Sequence, residues 1–93
     1  TGARLLAGAG LLDGLSATTH AENIAELAAL APEATLVGDR RFIDHGRIAT
    51  SAGIAAGIDL SLHLVARLHG HETAEKTARY MEYHWRNDGG LRR

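Results

Sequence analysis

Apolar positions recur every three or four residues in some stretches of this chain and fall in short runs bounded by turn residues in others, and the switches between them mark its elements. Leu5, Leu6, Leu11 and Leu12 supply one face of a helix over residues 2–12, and Asp13-Gly14 stops it. "LSATT" predicts a short strand over 15–18. Thr19 stands three residues before Glu22, the capping-box spacing, and behind it Ile24, Leu27 and Leu30 give a helix over 20–31 that Pro32 ends. "ATLVG" at 34–38 is a second strand, and "RRFIDHGRIAT" reads as strand, turn, strand with His45-Gly46 at the bend. From Ile54 the spacing lengthens through Ile58, Leu62, Val65 and Leu68, with Leu60, Leu64 and Ala66 on the flanks, so this helix is expected to be buried over a wide arc until Gly70 ends it. "HETAEKTARYMEYHW" is a last helical segment, with Thr73, Thr77 or Ala78, and Met81 along one side and i,i+4 pairs at Glu72–Lys76 and Glu75–Arg79. The tail "RNDGGLRR" is polar.

Short strands alternating with helices predict α/β packing. Strands this few do not make a sheet covered on both faces, so further strands are expected upstream. The opening "TGARLLAGAGLL" enters an apolar segment at once and reads as part of a longer chain. Composition narrows the class. An apolar content of 45% with 23% charge suits a globular domain, and a net charge of −1 offers no broad positive field for nucleic acid. No stretch reaches the roughly twenty apolar residues of a membrane helix. The expected compartment is cytoplasmic.

Candidate chemistry gathers at two junctions. In "TSAGIAAGID" (50–59), Thr50 or Ser51 can cap the first turn of the helix that follows, and Gly53 permits close backbone approach. The amides of that turn carry partial positive charge and can face an anion. Asp59 interrupts the apolar pattern of the same helix and needs hydrogen-bond donors or a cation, with a structural pairing favoured. His20 follows Thr18 and Thr19 where a strand becomes a helix, a place where side chains line the crevice of an open sheet. It can serve as a base or as a ligand contact. His69-Gly70-His71 lacks the third ligand of a structural zinc site, so no metal is expected. The glycines at 8, 10 and 14 lack the spacing of a nucleotide-binding loop, and no serine sits in a nucleophile elbow.

Together, "TGARLLAGAGLLDGLSATTH" and "TSAGIAAGIDLSLHLVARLHG" resemble the C-terminal half of ThiJ/PfpI proteins, in the class I glutamine amidotransferase-like superfamily. The branch they resemble holds isonitrile hydratases and the N-terminal domains of AraC-type regulators. The resemblance implies a flavodoxin-like three-layer sandwich around a mostly parallel sheet, usually dimeric, of which residues 1–93 are the back portion. It also implies a nucleophilic cysteine directly before Thr1. Thr1 would then stand beside the nucleophile and His20 near the pocket rim, the two catalytic candidates. Gly2, Thr19, Thr50, Ser51, Ala52 and Gly53 would form the ligand pocket, and Asp59, in the "AGID" motif, would be structural.

Two functions follow as expectations. The first is a cysteine-dependent hydratase or hydrolase acting on a small molecule, isonitrile hydratase-like, with no cofactor. The alternative is a sensor domain without turnover in an AraC-type regulator, binding a small metabolite and touching nucleic acid only through a separate module beyond Arg93. A weaker third reading is a small interaction domain completed by a partner chain. A homodimer without membrane contact is the expected assembly.

Overall fold

A computed structural model describes residues 2–85. Helix α1 (Gly2–Gly8) leads to strand β1 (Ser16–Ala17), a 3-10 turn (Ala21–Asn23), helix α2 (Ile24–Leu30) and strand β2 (Thr35–Leu36). Strands β3 (Phe42–Asp44) and β4 (Ala49–Ser51) follow, then helices α3 (Ile54–His69) and α4 (His71–Tyr80). The described residues thus form a mixed α/β fold with four α-helices, one small parallel sheet and one small antiparallel sheet.

The first half is a strand-helix-strand unit. β1 and β2 pair in parallel with Ser16 opposite Thr35 and Ala17 opposite Leu36, and α2 makes the crossover that parallel pairing needs. Leu12 and Leu27 are fully buried with Ala7, Ala17 and Ala31, and Leu6, Leu36 and Ile48 pack against this cluster. α1 ends at Gly8 rather than at residue 12, because the chain turns at Gly10, whose φ is +77°. Leu12 reaches the core from the turn, while Leu11 is left exposed.

The hairpin matches its sequence signal. β3 and β4 pair antiparallel, Ile43 opposite Thr50, and the bend places Gly46 at φ +91° with its N–H donating to Asp44 Oδ1 at 2.9 Å. All three residues of β3 are buried.

α3 packs against β3 and β4 and against α4. Its buried residues, Ala56, Asp59 and Leu62, recur every three residues and form one narrow stripe. The wide buried arc expected from the apolar pattern is not present among the described residues, since Ile54 is 94% and Leu68 70% exposed. Gly70 ends α3 at φ 101°, ψ 148°, backbone essentially restricted to glycine, and turns the chain into α4. On α4 the Thr73 and Thr77 hydroxyls donate back to the carbonyls of His69 and Thr73, and the buried positions are Ala74 and Ala78. The expected Glu72–Lys76 and Glu75–Arg79 pairs do not form; His71 and Glu75 pair instead, Nε2 to Oε2 at 3.3 Å. No helix of the described residues is long and apolar enough to cross a membrane.

Candidate functional site

Two strand ends set the geometry of the site. Past β1 the chain runs through Thr18 and Thr19 to His20, and past β4 it runs through Ala52 and Gly53 into α3. The Thr18 N–H donates to Thr50 Oγ1 at 2.9 Å, with both residues buried, so the two strand ends are held side by side. That bond uses the Thr50 hydroxyl oxygen as an acceptor. The residue preceding α3 is Gly53, and no side chain caps the helix, so the expected capping by Thr50 or Ser51 is replaced by an uncapped first turn.

His20 also takes a different local role from the one predicted. Its Nδ1 accepts the Glu22 N–H at 3.1 Å, so His20 caps the 3-10 turn in place of the Thr19–Glu22 capping box. With Nδ1 accepting, the proton of the neutral ring is on Nε2. A Cβ built on Gly53 would meet His20 Cδ2 at 3.6 Å and Nε2 at 3.9 Å, which is ordinary contact. Close backbone approach therefore does not explain Gly53, whose φ of −61° is open to any residue. The structural consequence is that the Nε2 edge of His20 lies beside the start of α3.

These segments and the first turn of α1 enclose an open cavity of about 670 Å³. Gly2, Thr19, His20 and Thr50 line it, as do Ser51, Ala52 and Gly53. Thr1 lies outside the described residues. Asp59 is not part of the lining and sits further along α3. Sequence reasoning missed the apolar wall made by Leu5, Leu6, Ile54 and Leu60. Helical spacing placed Leu5 and Leu6 on one face of a helix and Ile54 and Leu60 in a buried arc; a large aliphatic residue directly after the Thr-Ser-Ala-Gly junction was the available signal. Among the described residues, no Asp, Glu, Lys or Arg side chain lines the cavity.

Two ionic clusters fasten α3 behind it. The Asp59 carboxylate is fully buried and takes Arg41 Nε at 2.7 Å and Nη2 at 2.6 Å on Oδ2, and the Tyr83 hydroxyl at 3.1 Å on Oδ1. The Trp85 indole N–H donates to the Asp59 carbonyl at 3.3 Å. The bond to Asp59 raises the Arg41 guanidinium above its ordinary value, and desolvation together with the same carboxylate raises the Tyr83 phenol. In the second cluster, Asp44 accepts from Arg67 Nη1 at 2.9 and 3.0 Å and pairs with His63 Nε2 at 2.8 Å. Burial opposes ionisation of Asp44, but the Gly46 amide, His63 and Arg67 outweigh it and hold the carboxyl below the usual carboxylate range. No group of three or more metal-ligating side chains assembles among the described residues.

No protein-family model matches the chain. It is 46% identical to the HTH-type transcriptional regulator CdhR of Pseudomonas aeruginosa over 74 residues, which cover 80% of this chain and 22% of that protein. It is 40% identical to the HTH-type transcriptional regulator GbdR of Pseudomonas aeruginosa over 72 residues, 77% of this chain and 19% of the regulator. With the isonitrile hydratase of Pseudomonas putida it shares 42% identity over 83 residues, 89% of this chain and 35% of the enzyme. The chain thus spans about a fifth of the regulators and about a third of the hydratase.

The expectation of a cysteine-dependent hydratase, hydrolase or lyase is corrected by these findings. The 93 residues contain no cysteine, so this chain supplies no thiol nucleophile, and the regulators among its relatives direct the reading away from catalysis. The chain is homologous to segments of HTH-type transcriptional regulators and of an isonitrile hydratase, and so is linked to the branch of proteins that contains both.

Proposed function

We propose that this chain is the back portion of a small-molecule-sensing domain in an AraC-type transcriptional regulator. The observation that carries the reading is its 46% identity with an HTH-type regulator over 80% of its length, alongside a cavity at two strand ends. In this reading the domain belongs to the ThiJ/PfpI group, and further strands complete a flavodoxin-like three-layer sandwich around the two small sheets. The exposure of Leu11, Ile58 and Leu68, which lie outside the cavity lining, supports that completion, because a set of large exposed apolar side chains calls for cover.

Each site residue then has a place in a sensor. Gly2, Thr19, His20, Ser51, Ala52 and Gly53 contact the ligand, Thr50 holds the two strand ends in register, and Asp59 anchors α3 from behind. Occupancy of the cavity is passed to a DNA-binding module beyond Arg93, in a homodimer as the resemblance implies. The test is DNA binding by the intact protein. A mobility-shift titration on the DNA upstream of its own gene is expected to give specific complexes whose affinity falls steeply with salt; absence of any specific complex contradicts the regulator.

A further inference from the structure

We propose that residues 81–85 form a strap that couples the cavity face of α3 to the chain leaving this domain. The coupling stands apart from the sensor reading; its use as the route by which occupancy of the cavity is passed on rests on that reading.

The strap begins where α4 stops. The Tyr83 N–H donates to the Ala78 carbonyl at 2.9 Å and the Glu82 N–H to the Arg79 carbonyl at 3.0 Å, the paired bonds of a Schellman cap. Glycine is the usual residue at the left-handed position of that cap, because it has no Cβ to clash. Here Glu82 holds the position at φ +54°, the one non-glycine residue with positive φ among the described residues. A left-handed glutamate is strained and persists only while its surroundings hold it. The two aromatic residues that follow supply that hold.

Tyr83 and Trp85 both reach α3, while His84 between them is exposed. The Tyr83 hydroxyl lies 3.1 Å from Asp59 Oδ1 and 3.4 Å from the Ala55 carbonyl oxygen, so its single proton is shared between them. The Trp85 indole N–H donates to the Asp59 carbonyl at 3.3 Å, and its ring lies against His71 at the start of α4, centroids 5.2 Å apart.

The gripped part of α3 is also the part that borders the cavity. Ile54 and Leu60 line the cavity, and Ala55 and Asp59 are their chain neighbours. At about 3.6 residues per turn, the two pairs fall on opposite sides of the helix. Asp59 has a second connection to the lining. It takes Arg41 Nε at 2.7 Å, and the Arg41 carbonyl accepts the N–H of Ala52, a lining residue, at 2.8 Å. A shift of α3 at the cavity therefore moves the acceptors of Tyr83 and Trp85, and the strained turn at Glu82 gives the strap a second conformation to relax into.

Amide hydrogen exchange on the intact protein tests the coupling from both ends. Tyr83→Phe, which removes the hydroxyl and keeps the ring, is expected to speed exchange about tenfold at the Glu82 and Tyr83 amides and in the opening turns of α3. Glu82→Gly, which relieves the turn, is expected to slow the same amides about fivefold. Leu60→Ala, on the cavity wall, is expected to speed exchange at Glu82 and Tyr83, because coupling is reciprocal. The Thr35 and Val37 amides, bonded to Leu15 and Ala17 at the parallel pair, are expected to keep their wild-type rates in all three variants. An effect of Tyr83→Phe confined to residues 81–85, faster exchange in Glu82→Gly, unchanged strap amides in Leu60→Ala, or an equal change at Thr35 and Val37 overturns the strap. These outcomes leave specific DNA binding, read in the mobility-shift titration, untouched, so failure of the strap and failure of the regulator are told apart. Where specific DNA binding is found, Tyr83→Phe is expected to keep it and to lose the change in transcription between inducing and non-inducing conditions; a full response overturns the strap as the route.

Discussion

Asp59 is a charged residue with no exposure at all, and its worth lies in what it joins: Arg41 ahead of the hairpin, its own helix α3, and Tyr83 beyond α4. Replacing Asp59 by Asn keeps the volume but leaves Arg41 without its anion, at a cost of about 3 kcal/mol, read as a lowered urea midpoint. Asp44 gives a prediction about pH. Its folded-state value is held below 3.8, so the stability it contributes is present above about pH 4 and is lost as pH falls through the depressed value. Urea titrations across that range are expected to show wild type losing its advantage over Asp44→Asn in acid and keeping it near neutrality. The sequence marked Asp59 as needing a partner because a carboxylate interrupted an apolar helix. It did not mark Asp44, because His63 and Arg67 lie nineteen and twenty-three residues away and meet it only when α3 crosses the hairpin.

Among the elements, those whose signals are local were legible. The hairpin follows from His45-Gly46 between apolar runs, and Gly70 ends α3 as its position predicts. Gly70→Ala is expected to destabilise the protein by about 2 kcal/mol in chemical denaturation, because alanine does not adopt φ 101°, ψ 148° without strain. The cap residues were misread for a physical reason. Thr19 and Thr50 have the right chemistry for capping, but Thr50 is used to bind the neighbouring strand end, and a histidine ring does the capping ahead of α2. The breadth of burial on α3 was overread, since Ile54 and Leu60 belong to the cavity wall. An apolar residue satisfies helical periodicity equally well whether it faces a core or a ligand.

At the scale of the whole molecule, the cavity, the uncapped helix and the regulators among the relatives support the proposed sensor, in which the strand ends would hold the ligand. Residues 50–53 and 19–20 were legible as strand-to-helix junctions because small and polar residues cluster there, and the structure brings both junctions to one cavity. The absence of charged side chains in the described lining and the tautomer of His20 were not, because both depend on segments brought together by the fold. Gly53 offers the most direct test. Its backbone accepts any residue, and a side chain there would point at His20 across the cavity mouth without disturbing the buried stripe of α3. If the chain belongs to the proposed regulator, the measurement is transcription from the promoter that regulator binds, compared between inducing and non-inducing growth conditions in wild type and Gly53→Phe. The account predicts that Gly53→Phe still binds its DNA but no longer changes transcription between the two conditions. A variant that responds as fully as wild type would contradict it.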